Sequence, residues 1–176
     1  HEIPGFEGAE ESRALTQFSQ LADSWADPSL KLASLYLRMC LFGEAEKFLT
    51  ATQPRPTLCI ERHALVDSLL YLPILVGAVK KAGARFEDTA QVMGRIAQLH
   101  PNVARHVLSA LARRNRRMEL VQAPVERIAE YCMPFATLSP ADFVKLVARD
   151  FQTTLPDLVL YLDIAPEQAL GRIRQR

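Results

Sequence analysis

Leu155-Pro156-Asp157-Leu158-Val159-Leu160-Tyr161-Leu162-Asp163-Ile164-Ala165-Pro166-Glu167-Gln168-Ala169-Leu170-Gly171-Arg172-Ile173-Arg174-Gln175-Arg176 closes the chain. From Leu158 to Leu162 it is an unbroken apolar run of strand length, the pattern of a strand covered on both faces in a parallel sheet. Asp163 then stands at the carboxyl end of that strand. Pro166 and Glu167 suit the first turn of a helix, where a missing N–H is harmless and a carboxylate meets the positive end of the helix dipole. Arg172, Arg174 and Arg176 fall near the end of that helix. Working outward, a second apolar run, Thr57 to Ile60, ends on Glu61, Arg62 and His63. Ligands of open α/β sheets bind at the carboxyl edge of the strands, so ionisable residues there have a physical reason to face a pocket.

These two runs carry a family resemblance. Pro156 to Arg176 resembles the strand, helix and start of the lid in thymidylate kinases and the related deoxynucleoside kinases. Thr57-Leu58-Cys59-Ile60-Glu61-Arg62-His63 is similar to the strand of the same families that ends in Asp-Arg-Tyr, Asp-Arg-His or Glu-Arg-Ser. Its continuation, Ala64 to Pro73, is similar to the segment after Asp-Arg-His in herpesviral thymidine kinases. The resemblance implies an α/β fold: a three-layer, P-loop-kinase-like parallel sheet flanked by helices, helix-rich and with its sheet incomplete at both chain ends. It implies a kinase moving the terminal phosphate of ATP, with Mg2+, to a deoxynucleoside or to a thymidylate-type nucleoside monophosphate.

The bulk numbers fit a soluble globular protein. The 176 residues match one domain with a substantial core, 1–176, and are 49% hydrophobic and 23% charged. A net charge of +1 leaves no electrostatic footprint for nucleic acid or membrane. Cys40, Cys59 and Cys132 are an odd, scattered set, which argues against a zinc site and a disulfide framework and makes a reducing cytoplasm the simplest compartment. No apolar run approaches membrane-spanning length, and the start, His1-Glu2-Ile3-Pro4, lacks the basic and apolar regions of a signal peptide.

Along the chain, apolar residues at helical spacing predict a helix over Glu10–Trp25, with Leu15, Phe18, Leu21, Ala22 and Trp25 on its inner stripe. Asp27-Pro28 predicts an N-cap and a first helical position before a long helix over Leu30–Leu49. Ala64–Lys81 reads as a largely buried helix interrupted by Tyr71 and kinked at Pro73. Further helices are expected over Phe86–Leu99, Pro101–Arg114, Pro124–Tyr131 and Ser139–Phe151, the last with Ser139 as cap and Pro140 at its first position. Met118–Ala123 fits either a short strand or a continuing helix. Arg113, Arg114, Arg116 and Arg117 form the one dense basic cluster, either a solvated helix end or a grip for phosphates.

The resemblance also assigns site residues. Glu2, in a Glu-Ile-Pro step, stands where these kinases carry the base for the substrate hydroxyl; it reads equally as a solvated carboxylate near a terminus. Glu61 and Asp163 are implied near the metal, Glu61 also near the attacking oxygen. Arg62, Arg172 and Arg176 are the implied cations for the transferring phosphate. Arg38 on the long helix, with Arg62, His63, Asp67 and Tyr71, is implied in holding the substrate. For Arg38, His63, Asp67 and Tyr71 the alternative is packing or capping. No G-x-x-x-x-G-K-[ST] occurs among the seven scattered glycines. The resemblance places that loop before His1 and the lid after Arg176, so the chain is expected to be the middle of a longer protein and to form a homodimer through its long helices. Two alternatives stand beside this reading. One is a kinase-like binding or regulatory protein without catalysis; the other is a purely helical regulatory or nucleic-acid-binding domain, which needs both apolar runs to be buried helices.

Overall fold

The computed structural model describes residues 3, 5–52, 63–83, 85–118 and 124–159. Among them it shows helices and no strand: α1 (Ala9–Ser24), α2 (Pro28–Thr52), α3 (Ala64–Ala82), α4 (Phe86–Leu99), α5 (Pro101–Arg117), α6 (Ile128–Cys132) and α7 (Pro140–Phe151). Tight 3-10 turns, Val125–Arg127 and Met133–Thr137, bracket α6. The expected parallel sheet flanked by helices is therefore corrected to a helical architecture. The beginning of the quoted C-terminal stretch shows why. Among the described residues, 155–159 pair with no strand, and Leu158 is 74% exposed and Val159 55% exposed, whereas a strand of a doubly covered sheet is buried on both faces. A run of four or five apolar residues carries no period of its own, so helix, strand and exposed coil read alike in it. Residues 57–60 and 160–176 lie outside the described residues.

What organises the helices is α2. Leu30, Leu32, Ala33, Tyr36, Leu37, Met39, Cys40 and Leu41 are buried on several sides of it, the signature of a helix enclosed by others. It touches α1, α3, α5, α6 and α7. The helix starts sharply because the Asp27 carboxylate accepts from the backbone N–H of Ser29 (2.9 Å) and Leu30 (3.0 Å), two donors with no partner inside the helix. The short link through Ala26, which holds a positive φ of 53°, makes α1 and α2 an antiparallel hairpin. Within it the Ser34 hydroxyl donates to the Leu15 carbonyl at 2.9 Å. Gly43 marks the closest approach to another element: a Cβ there would collide with the Phe151 carbonyl oxygen at the end of α7.

Tyr71 and Pro73 do not interrupt α3, which runs on to a left-handed cap at Gly83 (φ 60°). Proline removes the N–H that the Leu69 carbonyl would accept, and Leu69 lies on the exposed side, where water can replace that bond. The same side exposes Leu70, Tyr71 and Ile74. Ser139 caps α7 as its sequence predicts, accepting from the Asp142 N–H at 3.2 Å. Among the described residues no helix is long and apolar enough to cross a membrane.

Candidate functional site

One face of α1 and one face of α2 open a cleft between them. Ala9, Ser12, Arg13 and Thr16 follow each other at i, i+3, i+4 and i+7 on α1, and Leu35, Arg38, Met39 and Phe42 repeat that spacing on α2, so each set lines one side of its helix. Asp67, from the first turns of α3, and Phe6, ahead of α1, complete the wall around about 410 Å³. The hairpin is antiparallel with Ser34 against the Leu15 carbonyl, so Thr16 and Leu35 fall toward the hairpin link, Arg13 and Arg38 farther from it, and Ala9 and Phe42 farther still. The cleft therefore has a cationic stretch beside an aromatic one. Arg13 and Arg38 are exposed, and Asp67 is buried.

The dense arginine cluster of α5 lies elsewhere, and three of its four side chains are turned toward other parts of the protein rather than out to solvent. Arg114 is only 4% exposed. Its guanidinium stacks 5.1 Å from the Tyr36 ring centre and 4.7 Å from that of Tyr131, and donates to the Tyr36 hydroxyl at 3.2 Å and the Asn115 side-chain oxygen at 2.8 Å. Arg113 pairs with Glu11 (3.2 Å) and Glu44 (3.5 Å). Arg117 pairs with Glu44 (3.2 Å) and donates to the carbonyls of Cys40 (3.2 Å) and Asp150 (2.8 Å). Of the four arginines only Arg116 is exposed.

At the centre of this network the fully buried Asp150 carboxylate accepts from the hydroxyls of Tyr36 (2.9 Å) and Tyr131 (2.6 Å) and from Arg149 (2.9 and 2.7 Å). Burial pushes the Tyr131 phenol up to about 12 and the Tyr36 phenol higher still, so both remain donors at neutral pH. Burial likewise drives the Cys40 thiol up to about 12 and the Cys132 thiol well above its usual value, which leaves neither as a thiolate nucleophile. None of these residues lines the cleft. The network ties α2, α5, α6 and α7 together.

Of the residues singled out from sequence, Arg38 and Asp67 meet at the cleft. His63 does not line it: the ring is the N-cap of α3, with Nδ1 accepting from the Leu65 N–H at 3.2 Å, and it packs edge-on to Phe42 at 5.4 Å. Desolvation holds the His63 imidazole below its usual range, only partly offset by the Glu46 carboxylate. Tyr71 sits on the exposed side of α3, away from the cleft. Glu2, Glu61, Arg62, Asp163, Arg172 and Arg176 lie outside the described residues. Sequence reasoning missed Arg13, Ser12 and Thr16, although their i, i+1 and i+4 placement on the polar side of α1 was a usable signal. Among the described residues no three His, Cys, Asp or Glu side chains are grouped to hold a metal ion. No family model, no curated protein and no solved structure matches this chain.

Proposed function

We propose that the cleft between α1, α2 and α3 binds the acceptor of a phosphotransferase, a deoxynucleoside or a thymidylate-type nucleoside monophosphate that receives the terminal phosphate of ATP. The observation that carries the reading is that Arg13 of α1 and Arg38 of α2 line one cleft together with Phe42 and Phe6. A nucleotide has the same polarity along its length: a flat, largely apolar base at one end and an anion at the other. Guanidinium forks match phosphate oxygens, and the two arginines favour the monophosphate over the nucleoside. The Asp67 carboxylate can accept from a sugar hydroxyl. From sequence the reading rests on the resemblance of Thr57–His63 and of Pro156–Arg176 to thymidylate and deoxynucleoside kinases; of the first run only His63, the cap of α3, is among the described residues.

In such a reaction ATP would supply the phosphoryl group and Mg2+ would offset the charge on its oxygens. What the described residues of this chain contribute is binding and orientation of the acceptor. The absence of a G-x-x-x-x-G-K-[ST] motif from these 176 residues favours a second reading, a binding protein without phosphate transfer. Both readings require acceptor binding; only the first requires a glycine-lysine loop in the adjoining coding sequence. Titration calorimetry with thymidine, thymidine monophosphate and inorganic phosphate tests the cleft. Saturable binding of the monophosphate, weakened about tenfold or more by Arg38→Ala, is expected. Saturable binding of neither nucleoside nor monophosphate overturns the proposal.

A further inference from the structure

Behind the cleft lies a buried chain of polar contacts that the acceptor itself would not touch. Glu46, on α2 one turn beyond Phe42, is 7% exposed. Its carboxylate accepts from the Thr153 hydroxyl, from the Thr154 hydroxyl and from the Thr154 backbone N–H at 3.3 Å. Nε2 of His63 lies 3.4 Å from the Thr153 hydroxyl oxygen. Since Nδ1 already accepts from the Leu65 N–H, the proton of the neutral ring is on Nε2, and the chain runs Nε2–H to the Thr153 oxygen and Thr153 O–H to Glu46. The other end of His63 reaches the cleft wall twice. Its carbonyl accepts from the Asp67 N–H at 2.9 Å, the first backbone bond of α3, and its ring lies against Phe42.

The segment that supplies Thr153 makes this chain more than ordinary packing. Beyond Thr154, Leu155 and Leu158 are exposed, so the segment after α7 is held to α2 and α3 at this point through polar bonds. A buried carboxylate is costly unless every donor is in place, so the contact has one well-defined geometry. The geometry points to His63, Thr153 and Glu46 as positioning residues that latch the start of α3 to α2 and so hold Asp67 and Phe42 where the acceptor meets them. This role rests on the acceptor reading of the cleft.

Thr153→Val keeps the shape of the side chain and removes the hydroxyl; Thr153→Ser keeps the hydroxyl. Two measurements are made on each full chain: hydrogen exchange of the Leu65 and Asp67 amides, and calorimetric titration with thymidine monophosphate at a temperature where circular dichroism shows all three proteins folded. Thr153→Val is expected to speed exchange of those amides about fivefold and to weaken binding about fivefold, the worth of one net hydrogen bond, with Thr153→Ser restoring both to within about twofold. Unchanged exchange in Thr153→Val overturns the latch whatever the ligand does. Faster exchange with unchanged affinity overturns the positioning role and leaves the acceptor reading standing. Failure of the unsubstituted chain to bind thymidine monophosphate or thymidine overturns the acceptor reading and the positioning role with it, even where the exchange result shows the latch present.

Discussion

Two sets of arginines serve this molecule in opposite ways. On α5, Arg113, Arg114 and Arg117 turn inward onto Glu11, Glu44, the Asp150 carbonyl and the rings of Tyr36 and Tyr131. On α1 and α2, Arg13 and Arg38 stand exposed across a cleft. Residue type is the same in both places, and so is helical context. What differs is enclosure: the three α5 side chains lie under neighbouring helices, whereas Arg13 and Arg38 stand at a cleft open to solvent. A guanidinium drawn inward needs carboxylates, carbonyls or ring faces around it; Arg113, Arg114 and Arg117 have them, although the Nε of each is buried without a hydrogen-bond acceptor, and so most of the densest basic run faces the protein rather than a ligand.

The contrast can be broken most forcefully at Arg114. Arg114→Ala leaves the Tyr36 hydroxyl and Asn115 without their donor and opens a void between two tyrosine rings, and should cost about 3 kcal/mol in urea denaturation. A loss below about 1 kcal/mol would mean that the cluster is no more structural than a surface run.

A smaller effect is expected from pH at Glu11. Burial pushes this carboxyl up, but its backbone hydrogen bond, Ser109 and Arg113 together outweigh that and hold it below the usual range. A carboxylate with a lowered folded value stabilises the fold above the ordinary carboxylate range, and that contribution is lost as pH falls through the folded value. Stability measured from pH 5 down to pH 3 should therefore fall more steeply in the parent chain than in Glu11→Gln, by roughly half a kcal/mol. Parallel curves would remove Glu11 from the inward-facing set.

Least change of all is expected at Arg38. Arg38→Ala should alter unfolding stability by no more than about 0.5 kcal/mol while still weakening acceptor binding. If Arg38→Ala instead destabilises the fold as Arg114→Ala does, the two sets are not different in kind.

How much of this was readable beforehand varies from element to element. The starts of α2 and α7 were plain in Asp27-Pro28 and Ser139-Pro140, because capping engages N–H groups two or three residues away. Helical spacing marked the inner stripe of α1, where Leu15, Phe18 and Ala22 are buried. Arg38 and Asp67 were singled out by resemblance, whereas Arg13 was passed over because a lone arginine on a polar stripe looks like any solvated one. The buried state of Arg114 was hidden for a different reason: Tyr36 is 78 residues away in the chain. The expected sheet rested on two short apolar runs, and shortness removes periodicity, the property that separates strand from helix; of those runs only Leu158 and Val159 are among the described residues, and both are exposed.

What the amino acids settled by themselves was therefore local: where most helices begin and which stripe of each is apolar, since those depend on bonds and side-chain directions within a few residues. Which arginines are buried, whether an apolar segment is covered, and which polar stripes face one another across a cleft were decided only when distant helices packed. Each of those outcomes needs a partner from elsewhere in the chain, and burial without the partner costs more than exposure.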